Sequence, residues 1–68
     1  MEKKIIKTNK KDLDVVILYN DDIIRDYRLV DTKEDRILLT SFNRDSFLLK
    51  CGQYVKLTNK QENIIASY

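Results

Sequence analysis

The chain has 68 residues, of which 43% are hydrophobic and 35% charged, and its formal net charge at pH 7 is +2. This length allows one small domain, which buries only about 60% of the surface of its unfolded chain. The single cysteine, Cys51, and the absence of histidine exclude an internal disulfide, the usual structural metal sites and imidazole catalysis. We therefore expect a non-enzymatic protein without cofactors, in which self-association into a homo-oligomer is one source of added stability.

Charge is unevenly distributed along the chain. Residues 1–11 hold five lysines against one glutamate, a net of +4, and residues 12–35 hold eight acidic against three basic residues, a net of −5. Residues 36–68 hold five basic against two acidic residues, a net of +3. The pattern predicts a basic surface that attracts phosphate beside an acidic surface that repels it.

The N-terminal part, residues 1–12, is predicted to be a short helix, a first strand or a loose arm, with residues 8–12 as a loop because they lack apolar periodicity. From about Leu13 to Tyr19 the chain is β-branched and aromatic, which predicts a strand. The longest apolar stretch of the chain, Val15 to Tyr19, lies within this strand. It is far too short to cross a bilayer, so we expect no membrane association and a cytoplasmic location.

Residues 20–22, Asn-Asp-Asp, suit a tight turn because these side chains tolerate a left-handed backbone. The following segment, residues 23–30, is ambiguous. Its apolar residues fall at helical spacing, but a hairpin from the preceding strand is the simpler connection, and a strand is favoured. Residues 31–35 then form a polar turn.

The rest of the chain is predicted to add short strands separated by turns. Residues 43–46 are expected to form a hairpin turn, Gly52 a bulge or sharp bend that uses positive φ, and residues 58–63 a loop. The predicted strands are residues 36–42, 47–51 and 54–57, with Ile64-Ile65 as a short last strand.

Together these elements predict a single mainly β domain over residues 1–68, with residues 1–12 as its arm or short helix. Its expected architecture is a small SH3-like antiparallel barrel of about five strands. Closing the sheet in this way would remove its exposed edges.

The leading functional prediction is a regulatory module that binds RNA or single-stranded nucleic acid, since cations bind phosphates and aromatic rings stack on bases. Exposed aromatic residues near Lys and Arg are the expected contacts. The candidate binding residues are Arg25, Arg28, Arg36, Arg44, Lys50, Lys56, Tyr27 and Tyr54.

Part of the chain resembles the first motif of the Sm-like (Hfq-like) family of small β-barrel RNA-binding proteins. The resemblance covers residues 13–40 and lies in an apolar strand, an Asn-led turn, a second strand that ends in Asp, and a third apolar strand. It implies five bent strands after an N-terminal helix, assembly into rings and RNA binding, with Asn20 and Asp31 as candidate site residues. The matching segments are Val15-Val16-Ile17-Leu18-Tyr19-Asn20-Asp21-Asp22, Leu29-Val30-Asp31 and Arg36-Ile37-Leu38-Leu39.

The alternative prediction is a protein-interaction or inhibitor module. Such a module would use a sheet edge or an acidic face built from Asp21, Asp22 and Asp26. The Lys-, Asn- and Ile-rich composition is typical of AT-rich coding sequences, and a small phage or mobile-element protein fits it. The two alternatives remain open from the sequence.

Overall fold

The computed structural model describes residues 1–21 and 23–68, and it places four strands before two helices. The strands are β1 (Glu2–Lys7), β2 (Leu13–Asn20), β3 (Ile23–Asp31) and β4 (Arg36–Ser41). The helices are α1 (Arg44–Cys51) and α2 (Asn59–Ala66). The protein is mainly β, as predicted, and its C-terminal part is helical, which was not predicted.

The strands form one antiparallel sheet in the order β1-β2-β3-β4. Register shifts leave one extra residue in β3, at Arg25, and one in β4, at Leu38, and such bulges sharpen the twist of a sheet. Within the described residues the outer strands β1 and β4 do not pair with each other. The sheet there is open and four-stranded, so the expected closure into a barrel of about five strands is not seen.

Two segments that the sequence left open are strands. Residues 2–7 form β1, which pairs with β2 in a register that sets Ile6 opposite Val15. Residues 23–30 lie within β3, as favoured, and the alternative helix is excluded by its pairing with β2 and β4. Long-range pairing decides both cases, because local propensity alone is weak for strands.

Aspartate, and not glycine, supplies the left-handed backbone of the turns. Asp12, Asp21 and Asp35 have φ of 69°, 51° and 52°, which short polar side chains tolerate. The expectation of positive φ at Gly52 is wrong: its φ is −59° and its ψ is −18°. Gly52 continues a right-handed helix end, so no strand bulge forms there.

The predicted turn at residues 43–46 and strand at residues 47–51 are wrong, because this stretch begins and forms α1. Asn43 is its N-cap, and the Asn43 side chain accepts a hydrogen bond from the Ser46 N–H at 2.9 Å. Phe47 and Cys51, one helical turn apart, are both fully buried. That spacing turns an apolar run into one buried helix face.

The last two predicted strands are also wrong. Residues 54–57 carry no regular secondary structure, and Ile64-Ile65 lie inside α2. Residues 58–63, predicted as a loop, contain the N-cap Thr58 and the first turns of α2. Over the described residues, no helix is both long and apolar enough to span a membrane.

One face of the sheet carries the core and is covered by both helices. Ile6, Val15, Leu29 and Leu39 lie opposite one another across the four strands, so their side chains share this face. In the part of the chain that the structure describes, no helix lies over the opposite face. The buried core consists of Ile6, Val15, Ile17, Tyr27, Leu29, Phe47, Cys51, Val55 and Ile65.

Candidate functional site

A groove of about 690 Å³ lies between the outer strand β1 and helix α2. Its walls combine aliphatic side chains with lysines, and we call it the basic groove. Strand β1 gives one wall, the start of α2 the other, and the C-terminal residues close one end. Its lining residues are Lys4, Ile5, Ile6, Lys7, Thr58, Lys60, Gln61, Ile64, Ser67 and Tyr68.

Alternation along β1 determines which side chains reach the groove. Ile6 is buried in the core, and Lys4 lies on the same face of the strand two residues away. Lys3, Ile5 and Lys7 point to the uncovered face of the sheet. Each face of β1 therefore presents a lysine next to an isoleucine.

Every second residue of β1 directs its backbone N–H and C=O groups away from β2. The Thr32 N–H donates to the Asp12 C=O at 2.9 Å, so the even-numbered residues of β2 hydrogen-bond to β3 and the odd-numbered ones to β1. In the β1–β2 register the odd-numbered residues of β2 lie opposite the even-numbered residues of β1, so the even-numbered residues of β1 hydrogen-bond to β2. The N–H and C=O groups of Lys3, Ile5 and Lys7 consequently point away from the sheet, and we call them the β1 edge.

Gln61 connects α2 to the β1 edge. Its Nε2 donates to the Lys7 C=O at 2.9 Å and, at 3.4 Å, to the Asn9 side-chain oxygen. Its Oε1 accepts from the Thr58 N–H at 2.9 Å, and the Thr58 Oγ1 accepts from the Gln61 N–H at 3.1 Å. This capping box fixes the start of α2 and occupies the outward carbonyl of Lys7.

The charged side chains of the basic groove are all lysines. Lys7 Nζ lies 2.9 Å from Asp14 Oδ2 across the uncovered face, so part of its charge is offset. Among the described residues, Lys4 and Lys60 form no ion pair. The groove therefore attracts anionic groups, most strongly near Lys4 and Lys60.

A second group of cations adjoins the groove at the loop that follows β1. Lys10 Nζ donates to the Tyr54 C=O at 2.6 Å, and Asn9 Nδ2 donates to the Lys56 C=O at 3.0 Å. These bonds bring Lys10 and Lys56 close to Tyr54, whose side chain is exposed. Two residues predicted for nucleic-acid binding, Tyr54 and Lys56, thus lie together.

The other predicted basic residues are distributed over several elements and do not form one surface. Arg25 is exposed on β3, Arg36 begins β4, and Lys50 ends α1. Arg28 Nε donates to Asp26 Oδ2 at 2.8 Å, and Arg44 Nη1 donates to the Ala66 C=O at 3.0 Å. Both of these arginines hold the fold together in the free protein.

The remaining candidates for nucleic-acid contact have structural positions. Tyr27 is buried, and its ring stacks on Phe47 with centroids 5.7 Å apart. Asn20 is exposed at the end of β2. Asp31 Oδ1 accepts from the N–H groups of Lys33 and Glu34, each at 3.0 Å, which shapes the β3–β4 turn.

The three aspartates predicted for an acidic face differ in environment. Asp21 is exposed in the β2–β3 turn, and Asp22 lies outside the described residues. Asp26 is buried and accepts from Arg28 and from Thr40 Oγ1, the latter at 2.7 Å. Its carboxylate is already surrounded by donors.

Two titratable groups in the core are perturbed by burial. Desolvation raises the pKa of the Cys51 thiol to about 11, which keeps it protonated and unreactive at neutral pH. Burial also raises the pKa of Tyr27, with Arg44 opposing and Asp45 adding to the shift. In the described part of the chain, no three His, Cys, Asp or Glu side chains converge as metal ligands would.

The residues of the basic groove were not among the predicted site residues. The lysines of β1 contributed to the basic N-terminal count, but their segment was left open as a short helix, a first strand or a loose arm, and Lys60 was placed in a loop. A local signal for the second wall exists: Thr58-x-x-Gln61 is a capping-box pattern that marks a helix start. Tyr68, whose ring centroid lies 6.0 Å from that of Tyr19, had no such signal.

Comparison with known proteins gives no match to a family model, to a curated protein or to a solved structure. The resemblance to the Sm-like family therefore stays a prediction. What the site can do follows from its own geometry.

Proposed function

We propose that the protein is a non-enzymatic binding module that engages an acidic segment of a partner protein in the basic groove. The observation that carries the proposal is the juxtaposition of Lys4 and Lys60 with aliphatic residues along an outer strand. A partner bound there would be regulated or inhibited by the contact.

The composition of the groove favours a peptide over a nucleic acid. Its lining includes three isoleucines, Ile5 and Ile6 from β1 and Ile64 from α2, and these suit aliphatic side chains. Single-stranded nucleic acids are held by aromatic platforms on which bases stack. The groove contains one aromatic ring, Tyr68, and that ring already packs near Tyr19.

The test is a titration of a labelled peptide that alternates glutamate and valine, followed by fluorescence anisotropy. Binding should weaken between about 50 and 200 mM salt, because the exposed lysine contacts are screened. Lys60→Glu should weaken binding several-fold, and it is a mild change for the fold since the first turn of a helix favours acidic residues. Lys33→Glu, in the exposed β3–β4 turn, is the matched control.

If the Lys60→Glu and Lys33→Glu variants bind the peptide equally well, the binding site does not lie in the basic groove. No binding of the wild-type protein at about 50 mM salt, where exposed charges interact most strongly, would reject the proposal.

A second candidate function is the binding of RNA or single-stranded DNA by Lys10, Lys56 and Tyr54. Its specific support is the pair of hydrogen bonds that hold Lys10 and Asn9 against residues 54–56, beside an exposed ring. The proposed Sm-like resemblance points in the same direction.

Titration of a labelled mixed-sequence RNA separates the two functions. A nucleic-acid site at this end predicts steep salt dependence and a loss on combining Lys10→Glu with Lys56→Glu. The Lys60→Glu variant should then bind RNA much as the wild type does. Absence of RNA binding, together with a loss of peptide binding in Lys60→Glu, supports the peptide proposal.

A further inference from the structure

The β1 edge offers unpaired backbone groups directly beside the basic groove. We infer that the occupant of the groove is an extended acidic peptide segment that adds to the sheet as a fifth strand, pairing with Lys3 and Ile5 and ending at Gln61. This inference rests on the proposed function and specifies how the partner is held. Strand addition is an established mode of peptide recognition, in which the main chain provides affinity and alternate side chains provide specificity.

The number of open backbone positions limits the contact. The N–H and C=O groups of Lys3 and Ile5 point outward and do not hydrogen-bond to β2, since both residues occupy non-hydrogen-bonded positions of the β1–β2 register. The Lys7 C=O points outward too, but it accepts from Gln61 Nε2. A bound strand can therefore exchange full pairs of hydrogen bonds with two residues and meets the side chain of Gln61 at the third.

Side chains on both faces of β1 then specify the sequence that fits. On the groove side the added strand would face Lys4 and Ile6, and on the uncovered side Lys3, Ile5 and Lys7. Cross-strand pairs are stabilised by opposite charges and by apolar contact. An antiparallel segment read from Lys7 to Lys3 should accordingly run acidic, apolar, apolar, acidic, acidic.

The same lysines argue against a second copy of this chain as the occupant. Two antiparallel registers would pair both Lys3 and Ile5 of one β1 with another β1. One of them sets Lys3 opposite Lys7, and the other sets Lys4 opposite Lys4. Like charges directly opposite each other destabilise a strand pair, and edge lysines are a common defence against self-pairing.

The experiment uses the full chain and a blocked, fluorescein-labelled peptide, Ser-Glu-Val-Val-Glu-Glu-Ser. Two versions carry one N-methyl group each, which removes one backbone N–H and keeps the charge and the side chains. Methylation of the second valine, opposite Ile5, blocks a hydrogen bond to the β1 edge. Methylation of the first valine, opposite Ile6, alters an N–H that faces away and is the matched control.

Strand addition predicts that the peptide methylated opposite Ile5 binds about tenfold more weakly than its parent, the upper range for one lost hydrogen bond. The control peptide should stay within about twofold of the parent. On the protein, Ile5→Pro removes the other hydrogen bond of this pair, the one that the Ile5 N–H donates to the peptide, and an edge strand tolerates proline where its N–H faces solvent. A circular-dichroism melt checks that this variant folds.

Amide hydrogen exchange followed by NMR gives a second readout that does not depend on a variant. The Lys3 and Ile5 amides should exchange fast in the free protein and become protected when the peptide binds. The Lys4 and Ile6 amides, which belong to the β1–β2 pairing, should be protected in both states.

The outcomes separate the inference from the proposed function. If the parent peptide does not bind, the proposed function itself fails. A second outcome is that the parent peptide binds, both methylated peptides bind equally well, and the Lys3 and Ile5 amides stay unprotected. In that case strand addition is wrong, and the groove remains a binding site. Protection of these amides in the free protein that grows with protein concentration would identify a second copy as the occupant and overturn the inference.

Discussion

The two outer strands of the sheet are protected in different ways. Helix α1 packs against β4 and β3, and Leu38 and Leu39 of β4 are half-buried. Strand β1 is separated from α2 by the basic groove, and only one of its six side chains, Ile6, is buried. Helix packing covers the β4 side, whereas on the β1 side exposed lysines disfavour pairing with a second copy of the strand. This contrast is why we propose the β1 edge, and not β4, as the place where an acidic strand is added.

The ion pairs of the uncovered face show the same contrast. Asp26 joins β3 to β4 by accepting from Thr40 at 2.7 Å, and it also accepts from Arg28 of its own strand at 2.8 Å. Asp14 joins β2 to β1 through Lys7 alone, at 2.9 Å, and the lysine side chain is 80% exposed. The attachment of β1 is thus the weaker of the two.

The largest expected effect comes from removing the side chain that anchors α1. Phe47 is fully buried and stacks on Tyr27, so Phe47→Ala should cost about 4 kcal/mol in the free energy of unfolding. Leu49→Ala, on the exposed side of the same helix, should change stability by less than about 0.5 kcal/mol. Urea unfolding measures both. Similar costs for the two variants would mean that α1 does not close the β4 side.

Thiol labelling reports on the same region. Burial raises the pKa of Cys51 to about 11, so its thiolate fraction at pH 8 is low and a thiol reagent should react slowly with the folded protein. Labelling should accelerate in Phe47→Ala and in urea. Fast labelling of the wild-type protein would contradict a docked α1.

A smaller effect distinguishes the two buried carboxylates. Asp26→Ala should cost about 2 kcal/mol, because it leaves two donors without their charged acceptor. Asp14→Ala should cost about 1 kcal/mol or less, since its single ion pair is with an exposed lysine. Urea midpoints for the pair, with Thr40→Val as a third variant that removes one hydrogen bond, measure the difference. Equal costs would remove the contrast between the two strand attachments.

Strands β2 and β4 were predictable because their signal is local. Residues 13–19 and 36–42 are β-branched and apolar runs bounded by Asn, Asp and Ser, and turn chemistry sets their ends. The helices were missed because a short apolar run such as Phe47-Leu48-Leu49 looks the same in a strand and in a helix. The deciding signals were the caps: Asn43 before α1, and Thr58 with Gln61 before α2.

The basic groove was not predictable from the sequence by such local signals. Its two walls are joined by the hydrogen bond from Gln61 to Lys7, which spans 54 residues of sequence. The lysine count of residues 1–11 indicated a basic surface, but not that β1 would be an outer strand. Which strand ends at the edge is decided by the pairing of the whole sheet.

The helix cap beside the groove gives the next effect in size. Thr58→Ala removes the acceptor for the Gln61 N–H and should cost about 1 kcal/mol. In a domain of this length that loss corresponds to a fall in Tm of about 4–8 °C. Asn59→Ala removes a neighbouring polar side chain but leaves the cap, and it should not lower the Tm. Equal falls in a thermal melt would show that the capping box does not hold α2.

The smallest expected effect is a gain in stability at Gly52, at the end of α1. Its φ of −59° and ψ of −18° are open to any residue, and an added Cβ would meet only the Leu49 carbonyl oxygen, at 3.4 Å. Gly52→Ala should therefore stabilise the protein by about 0.5 kcal/mol, because the unfolded chain loses freedom that the folded chain does not use. The urea midpoint checks the sign. A loss of about 1 kcal/mol or more would place Gly52 at positive φ, as a strand bulge requires, and would argue against the helical end that supports β4.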